Sequence, residues 1–198
     1  MKIVFASRNE GKIKEISYML EGMDIELVSL NNYANVPEIA EDGKSFLENA
    51  LKKARIVSGC TGETVLADDS GLQVDILGGE PGIYSSRYAG ENATDEENIA
   101  KLLSRLKDIP QEKRAASFCC VLVLYRKDNS YDYFEGKWRG QIIDMPRGGN
   151  GFGYDPIFMV PDLKMTAAEL PAEIKNKISH RGQAFAQLKE SLRVKSKN

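Results

Sequence analysis

The hydrophobic pattern at the start of the chain changes from the period of a strand to that of a helix. An apolar run from Lys2 to Ala6 leads into a polar turn, after which Ile13, Ile16 and Leu20 recur at helical spacing. Residues 24–30 then alternate as a second strand. The pattern predicts a strand, a loop, a helix and a second strand.

Helix-end signals organise the middle of the chain. Ser45-Phe46-Leu47-Glu48 is a capping box, in which the serine caps a helix and the glutamate reaches back, so we expect a helix over residues 46–58. Residues 64–67 form a short apolar strand that ends at an Asp-Asp-Ser-Gly turn. A second capping signal opens a helix over residues 94–107, which Pro110 stops.

The last third of the chain begins with two β-rich segments, residues 117–126 and 131–143, separated by a polar turn. They predict an antiparallel hairpin. A glycine-rich loop over residues 147–154 leads to a strand at 157–160, and a final helix is expected at 182–193.

These elements predict one α/β domain over residues 1–198, built on a mixed β-sheet with flanking helices. At 198 residues, the chain is long enough for one well-buried core, and no linker or internal repeat marks a boundary. The tail, residues 194–198, is expected to be frayed.

Composition excludes several function classes. The 27 basic and 29 acidic side chains give a net charge of −2, which offers no support for nucleic acid binding. The apolar run at the N-terminus is too short for a signal sequence or a membrane span, so we expect a cytoplasmic protein with no membrane partner. The three cysteines are expected to be reduced core thiols.

Metal chemistry is restricted to oxygen ligands. One histidine, His180, and no CxxC pattern exclude the usual zinc sites built from nitrogen and sulfur. A bound metal is therefore expected to be Mg²⁺, with Mn²⁺ as the alternative.

Two segments have the chemistry expected of a phosphate site. The loop from Ser7 to Lys12 joins a strand to a helix N-terminus, where backbone amides favour an anion, although an ordinary polar turn has the same pattern. Lys53 lies close to the apolar stripe of its helix. It must face an anion-binding cleft, snorkel to solvent, or form a structural ion pair.

Two acidic segments are candidates for metal binding or acid–base chemistry. Asp68 and Asp69 follow the apolar strand. Two carboxylates at this position can hold magnesium, or one of them can act as a base. Adjacent strand residues point to opposite faces of a sheet, so at most one of the two aspartates faces a given site. The alternative is an Asx turn. Glu38, Glu41 and Asp42 form an acidic loop that supplies further oxygen ligands or is simply solvated.

Two later segments are candidates for recognition. The glycine-rich loop is not a dinucleotide fingerprint, because a strand follows it where a helix is required. Its Phe152 and Tyr154 either stack on a planar base or belong to the core. His180 and Arg181 precede the last helix and are suited to read carbonyl or phosphate oxygens, with a helix cap as the alternative.

Together these segments resemble the non-canonical purine nucleoside triphosphate pyrophosphatases, the inosine and xanthosine triphosphate pyrophosphatase family, over nearly the whole chain. The matching blocks are SRNEGK at 7–12, EDGKSFLENALKKA at 41–54, ADDSGLQVDILGGEPGIYSSRYAG at 67–90, GFGYDPIF at 151–158 and SHRGQA at 179–184. The first block departs slightly from the family, so Ser7 should supply its hydroxyl.

The resemblance implies a fold, an assembly and a reaction. It implies an elongated mixed α/β sheet with two lobes around a central substrate cleft, and a homodimer. It also implies hydrolysis of ITP, dITP and XTP to the nucleoside monophosphate and pyrophosphate. Two other activities remain open: a pyrophosphatase acting on other modified or on pyrimidine nucleotides, and a nucleotide sensor without hydrolysis.

The resemblance also implies residue roles. Asp69 and Lys53 are the catalytic candidates. The candidate metal ligands are Asp69 and one of two glutamates, Glu38 or Glu41, and the choice between the two glutamates is open. Phe152 stacks on the base, and Lys175, His180 and Arg181 read its 6-oxo edge. The candidate substrate-binding residues are Ser7, Arg8, Asn9, Glu10, Gly11, Lys12, Ser70, Phe152, Gly153, Tyr154, Asp155, Lys175, His180 and Arg181.

Overall fold

A computed structural model describes residues 1–195 and shows a mixed α/β fold. The strands are β1 (Lys2–Phe5), β2 (Glu26–Ser29), β3 (Val65–Val74), β4 (Ala115–Tyr125), β5 (Tyr131–Ile142), β6 (Phe158–Val160) and β7 (Met165–Thr166). The helices are α1 (Glu10–Leu20), α2 (Phe46–Thr61), α3 (Asp95–Leu106), α4 (Ala172–Ile178) and α5 (His180–Lys195).

The seven strands form one sheet in the order β2-β1-β3-β4-β5-β6-β7. Strand β1 runs parallel to β2 and β3, whereas β6 runs antiparallel to β5 and β7. The predicted mixed sheet with flanking helices is therefore confirmed. No helix within residues 1–195 is both long and apolar enough to cross a membrane.

By contacts, the chain divides into two compact units. The first unit comprises residues 1–69, 120–136 and the segment from Arg181 onward, and the second comprises residues 70–119 and 137–180. The single domain expected over residues 1–198 stays a prediction. Of the tail expected to be frayed, 194 and 195 belong to α5, and 196–198 lie outside the described residues.

In the first unit, alternate side chains of the strands bury against different helices. Ile3, Phe5 and Leu66 join a core cluster with α1 and α5. Val4 and Ala67 join a separate cluster with α2. This alternation assigns each residue of β3 to one of two faces, which matters for the aspartates that follow Ala67.

In the second unit, the core packs α3 against aromatic side chains of the sheet. Leu102 and Leu106 of α3 share one buried cluster with Phe118, Trp138 and Phe158. The rings of Phe118 and Phe158 have centroids 4.4 Å apart. This cluster supports the end of the glycine-rich loop and the segment after it, because Tyr154 and Ile157 belong to the cluster.

Strand β3 does not end where the sequence predicted. The expectation of a turn at Asp68 is wrong, because the strand continues through both aspartates to Val74. The carboxylates are tolerated inside a strand because charged side chains from other elements meet them. Those partners are distant in sequence, which local pattern does not reveal.

The two capping predictions differ in outcome. Ser45 caps α2 by accepting a hydrogen bond from the Glu48 amide at 3.2 Å, but Glu48 accepts from the Lys44 amide, not from Ser45. Helix α3 has the complete box between Thr94 and Glu97. The start of α5 at His180 places His180 and Arg181 in its first turn, not in a preceding loop.

Candidate active site

The loop before α1 forms the strand–turn–helix that its sequence predicted. Asn9 caps the helix, its Oδ1 accepting from the Lys12 amide at 3.0 Å, and Ser7 Oγ accepts from the Asn9 amide at 3.2 Å. Arg8 donates to the Val36 carbonyl at 3.1 Å. Glu10 and Gly11 form the first turn of α1. The turn is thus ordered by its own side chains.

Lys12 reaches a buried carboxylate from this helix. Its Nζ lies 2.9 Å from Asp68 Oδ1. On the other side, Asp68 Oδ2 lies 3.5 Å from an Arg181 nitrogen, and Arg181 also pairs with Glu15 of α1. Asp68 is therefore enclosed by two cations on the α1 and α5 face of the sheet.

The charge state of Asp68 follows from this enclosure. Burial acts to raise its pKa, but the charges of Lys12, Arg181 and Lys53 outweigh burial and hold the pKa well below the usual range. Asp68 is an ionised structural partner at neutral pH. Arg181 forms ion pairs with Glu15 and Asp68, and reading of a base by Arg181 stays a prediction.

Lys53 lies on the opposite face of the sheet, within α2. It is buried, and its Nζ contacts Glu41 Oε1 at 2.7 Å and Asp69 Oδ1 at 3.3 Å. Burial acts to lower its pKa, but the charges of Asp69, Glu41 and Asp68 raise the pKa above its ordinary value. Of the alternatives considered for Lys53, snorkelling is excluded, because the side chain is only 9% exposed.

Asp69 has an environment opposite to that of Asp68. Burial raises the pKa of Asp69, and nearby Glu41 raises it further, against the lowering effect of Lys53 and Lys12. Neighbouring carboxyl groups whose pKa values are driven apart are a common arrangement for separate chemical roles. Asp69 is the member suited to accept a proton, and Asp68 the member suited to hold a lysine.

The donor set on the α2 face suits a divalent cation. Asp69 and Glu41 share a single ammonium group, whereas Glu38 is exposed. Within residues 1–195, no group of three or more His, Cys, Asp or Glu side chains is arranged to hold a metal ion. Two carboxylates without a full cage match Mg²⁺, which usually takes one or two carboxylates and completes its shell with water and substrate phosphates.

Asn49 is a buried polar residue of this site that was not among the predicted site residues. Its Nδ2 donates to Asp69 Oδ2 at 3.1 Å, and its Oδ1 accepts from the Gly43 amide at 2.8 Å. The available signal was its position four residues before Lys53, on nearly the same side of α2. Ser70 follows Asp69 along β3 and is partly exposed.

The second unit contains the candidates for base recognition. Asp155 is buried and accepts hydrogen bonds from the Phe152 amide at 2.9 Å and from Lys175 Nζ at 2.5 Å. The same lysine nitrogen lies 5.2 Å from the centroid of the Phe152 ring. Asp155 thus holds the loop and the lysine together, with Phe152 only partly covered.

Three further candidate residues have described contacts within the second unit. The Gly153 amide donates to Asp95 of α3 at 2.6 Å. Tyr154 is buried in the core and donates to the Ser85 carbonyl at 2.9 Å, which matches the core alternative for this residue. The ring of His180 stacks on Phe118, with centroids 4.9 Å apart.

Comparison with known proteins gives a consistent result. A family model described as the Ham1 family matches residues 3–191. A curated "dITP/XTP pyrophosphatase" from Geobacter sulfurreducens is 52% identical over 191 residues, covering 96% of each chain. One from Photorhabdus laumondii is 50% identical, covering 97% of this chain and 98% of the relative.

Solved structures agree with the sequence comparison. A HAM1 protein from Coxiella burnetii has a TM-score of 0.88 at 46% identity, covering 97% of this chain and 98% of that one. The Ham1 protein of Staphylococcus aureus has a TM-score of 0.88 at 42% identity, covering 98% and 100%. A family match of this extent, with relatives this similar over their full length, shows that the chain belongs to the Ham1 family.

Proposed function

We propose that this chain hydrolyses non-canonical purine nucleoside triphosphates, namely ITP, dITP and XTP, to the nucleoside monophosphate and pyrophosphate. The observation that carries the proposal is the sharing of one buried ammonium, that of Lys53, by Asp69 and Glu41. This arrangement places a cation that can bind phosphate oxygens beside carboxylates that can bind a metal ion. The curated relatives named dITP/XTP pyrophosphatase support the same reaction.

The proposed cofactor is Mg²⁺, with Mn²⁺ as the alternative. Asp69 and Glu41 would hold it, because both present carboxylate oxygens to one position beside Lys53. When bound, the ion neutralises charge on the phosphates. Glu41 is preferred to Glu38, since only Glu41 has a described contact with Lys53.

The remaining steps belong to side chains of this chain. Asp69 orients a water molecule and takes its proton as the water oxygen forms a bond to the α-phosphorus. The bond between that phosphorus and the bridging oxygen breaks, and pyrophosphate leaves with the electron pair. Lys12 and Lys53 offset the negative charge that develops on the phosphates, with the α1 N-terminus offering backbone amides at Glu10 and Gly11.

Selection of the base is assigned to the second unit. Phe152 offers a partly exposed ring for stacking, and Lys175 and His180 supply donors for a 6-oxo group. A site whose buried donors lose their partners against a 6-amino group rejects adenine strongly. Arg181 stays a predicted contributor.

Product analysis tests this proposal. The protein is incubated with dITP, XTP, dATP, dGTP or dTTP, with and without Mg²⁺, and pyrophosphate is separated from orthophosphate. Pyrophosphate released from dITP and XTP, and only with the metal, is the expected result. Orthophosphate would refute the reaction, equal rates on dATP or dTTP would refute the base assignment, and binding without product would indicate a sensor.

A homodimer and a cytoplasmic location also belong to the proposal. The homodimer rests on the resemblance to the family, and sedimentation velocity of the purified protein tests it directly. A sedimentation coefficient of a single 22.0 kDa chain at all concentrations would refute it. The location rests on the sequence alone and stays a prediction.

A further inference from the structure

Asn49 connects two parts of the candidate active site that lie apart in sequence. It is wholly buried in α2, and its two polar atoms serve different partners: Asp69 of β3 and the backbone of Gly43, which precedes α2. Glu41, the proposed second metal ligand, lies two residues before Gly43. A single side chain therefore connects the loop of one carboxylate to the other carboxylate.

The chemistry of the partners fixes the orientation of the amide. The Gly43 amide can only donate, and an ionised Asp69 carboxylate can only accept, so Oδ1 must face Gly43 and Nδ2 must face Asp69. A flipped amide would lose both hydrogen bonds. Asn49 is thereby a bridge with one permitted orientation, which a side chain with donors only or acceptors only cannot replace.

The space at Gly43 shows that the loop is packed onto this amide. A Cβ at position 43 would lie 2.6 Å from Asn49 Oδ1 and 2.9 Å from Glu48 Cβ. Real Cβ atoms essentially never approach so closely, so any larger residue must displace the loop or the asparagine. Gly43 and Asn49 thus act on the same contact from its two sides.

We propose that Asn49 is a positioning residue for the reaction, which holds Asp69 and the Glu41 loop in fixed register so that both carboxylates face Lys53. The inference rests on the proposed function. The bond from Asn49 occupies Asp69 Oδ2 and leaves Oδ1 as the oxygen on the Lys53 side. Without the hydrogen bonds of Asn49, the carboxylates of Asp69 and Glu41 are no longer held in position relative to each other. The residues proposed to recognise the nucleotide base are unchanged.

The first test measures metal dependence in two variants. Asn49→Leu keeps the branched shape at Cγ, with a larger volume, and removes both hydrogen bonds, and Gly43→Ala disturbs the same contact from the loop. We expect Asn49→Leu to raise the Mg²⁺ concentration for half-maximal rate about tenfold and to lower kcat about tenfold, with KM for dITP changed less than about threefold. Gly43→Ala should change both quantities in the same direction, and it carries the test if Asn49→Leu does not fold.

A double variant and a matched control separate positioning from packing. Both substitutions break the same contact. The double variant Asn49→Leu, Gly43→Ala should therefore have the same Mg²⁺ requirement and the same kcat as Asn49→Leu alone. The control is Asn98→Leu: Asn98 is also buried, accepts from the Ala89 amide at 2.8 Å and donates to the Ser86 carbonyl at 3.2 Å. It should lower the melting temperature without changing the Mg²⁺ requirement.

Three results of the rate measurements would overturn the inference: a Mg²⁺ requirement in Asn49→Leu within about twofold of the wild type, an equal shift in Asn98→Leu, or fully additive effects in the double variant. Hydrogen exchange at the Gly43 amide decides the link independently of activity. The amide should be protected in the wild type and unprotected in Asn49→Leu, and equal exchange in both would refute the bridge. A wild type that releases no pyrophosphate refutes the proposed function, not the bridge.

Discussion

Asp68 and Asp69 are adjacent residues of one strand with different physical roles. Asp68 faces α1 and α5, where Lys12 and Arg181 hold its charge. Asp69 faces α2, where burial and Glu41 raise its pKa. Because adjacent strand residues point to opposite faces of the sheet, one of the two aspartates is a structural ion-pair partner and the other is a candidate for catalysis.

Asp69→Asn tests this division by activity. The amide cannot take a proton from water and is a poorer metal ligand, so we expect kcat with dITP to fall by about a hundredfold to ten-thousandfold. The fall is measured as pyrophosphate released per unit time at saturating Mg²⁺. The control is Asp75→Asn, which makes the same change in a half-exposed pair with Arg139 and should retain the wild-type rate. A normal rate in Asp69→Asn would remove Asp69 from the mechanism.

At the scale of elements, the sequence predicted the regular parts of the fold and missed the parts that depend on distant partners. Helices α1, α2 and α3 have local caps and apolar stripes, so their sequences alone identified them. The continuation of β3 through its aspartates was missed, because the compensating charges come from α1, α2 and α5. The Arg181 to Glu15 pair, for example, joins residues 166 positions apart.

The site shows the same division between local and distant information. Helical geometry placed Lys53 near an apolar stripe, and the end of an apolar run marked Asp68 and Asp69 as a pair. The catalytic roles of Lys53 and Asp69 came from the resemblance to the family and stay predictions. The proposal of Glu41 over Glu38 as a metal ligand rests on the contact between Glu41 and Lys53 of α2. Asn49 was missed because its spacing from Lys53 does not by itself show that the amide is buried with two partners.

The glycine-rich loop supplies a prediction at the element scale. Gly151 has φ of 80°, and a Cβ there would lie 2.0 Å from Asp155 Oδ2. Gly151→Ala should therefore displace the Asp155 contacts, lower the free energy of unfolding by about 1–3 kcal/mol and raise KM for dITP. Gly149→Ala is the matched control, because nothing lies within 4 Å of its Cβ. Urea unfolding and initial rates measure both, and equal behaviour of the two variants would contradict this account of the loop.

At the scale of the whole molecule, the buried charges determine how stability depends on pH. The folded-state pKa of Asp68 is lowered, so its contribution to stability is complete above the unfolded value near 3.8 and decreases as pH falls toward the folded value. Asp69 has a raised folded-state pKa, so its ionisation opposes folding as pH rises above 3.8. The two aspartates therefore contribute to stability with opposite signs at neutral pH.

Two isosteric variants test these signs by urea unfolding from pH 7 to pH 3, with a chelator present so that no metal changes the carboxylate charges. At pH 7, the free energy of unfolding of Asp68→Asn should be about 3–5 kcal/mol below that of the wild type, because Lys12 and Arg181 lose a buried partner. That deficit should shrink by about 1.4 kcal/mol per pH unit below 3.8. At pH 7, the free energy of unfolding of Asp69→Asn should equal or exceed that of the wild type, since an active-site carboxylate held in an unfavourable environment lowers stability. A deficit for Asp68→Asn that stays constant with pH would show that its ion pairs do not stabilise the fold.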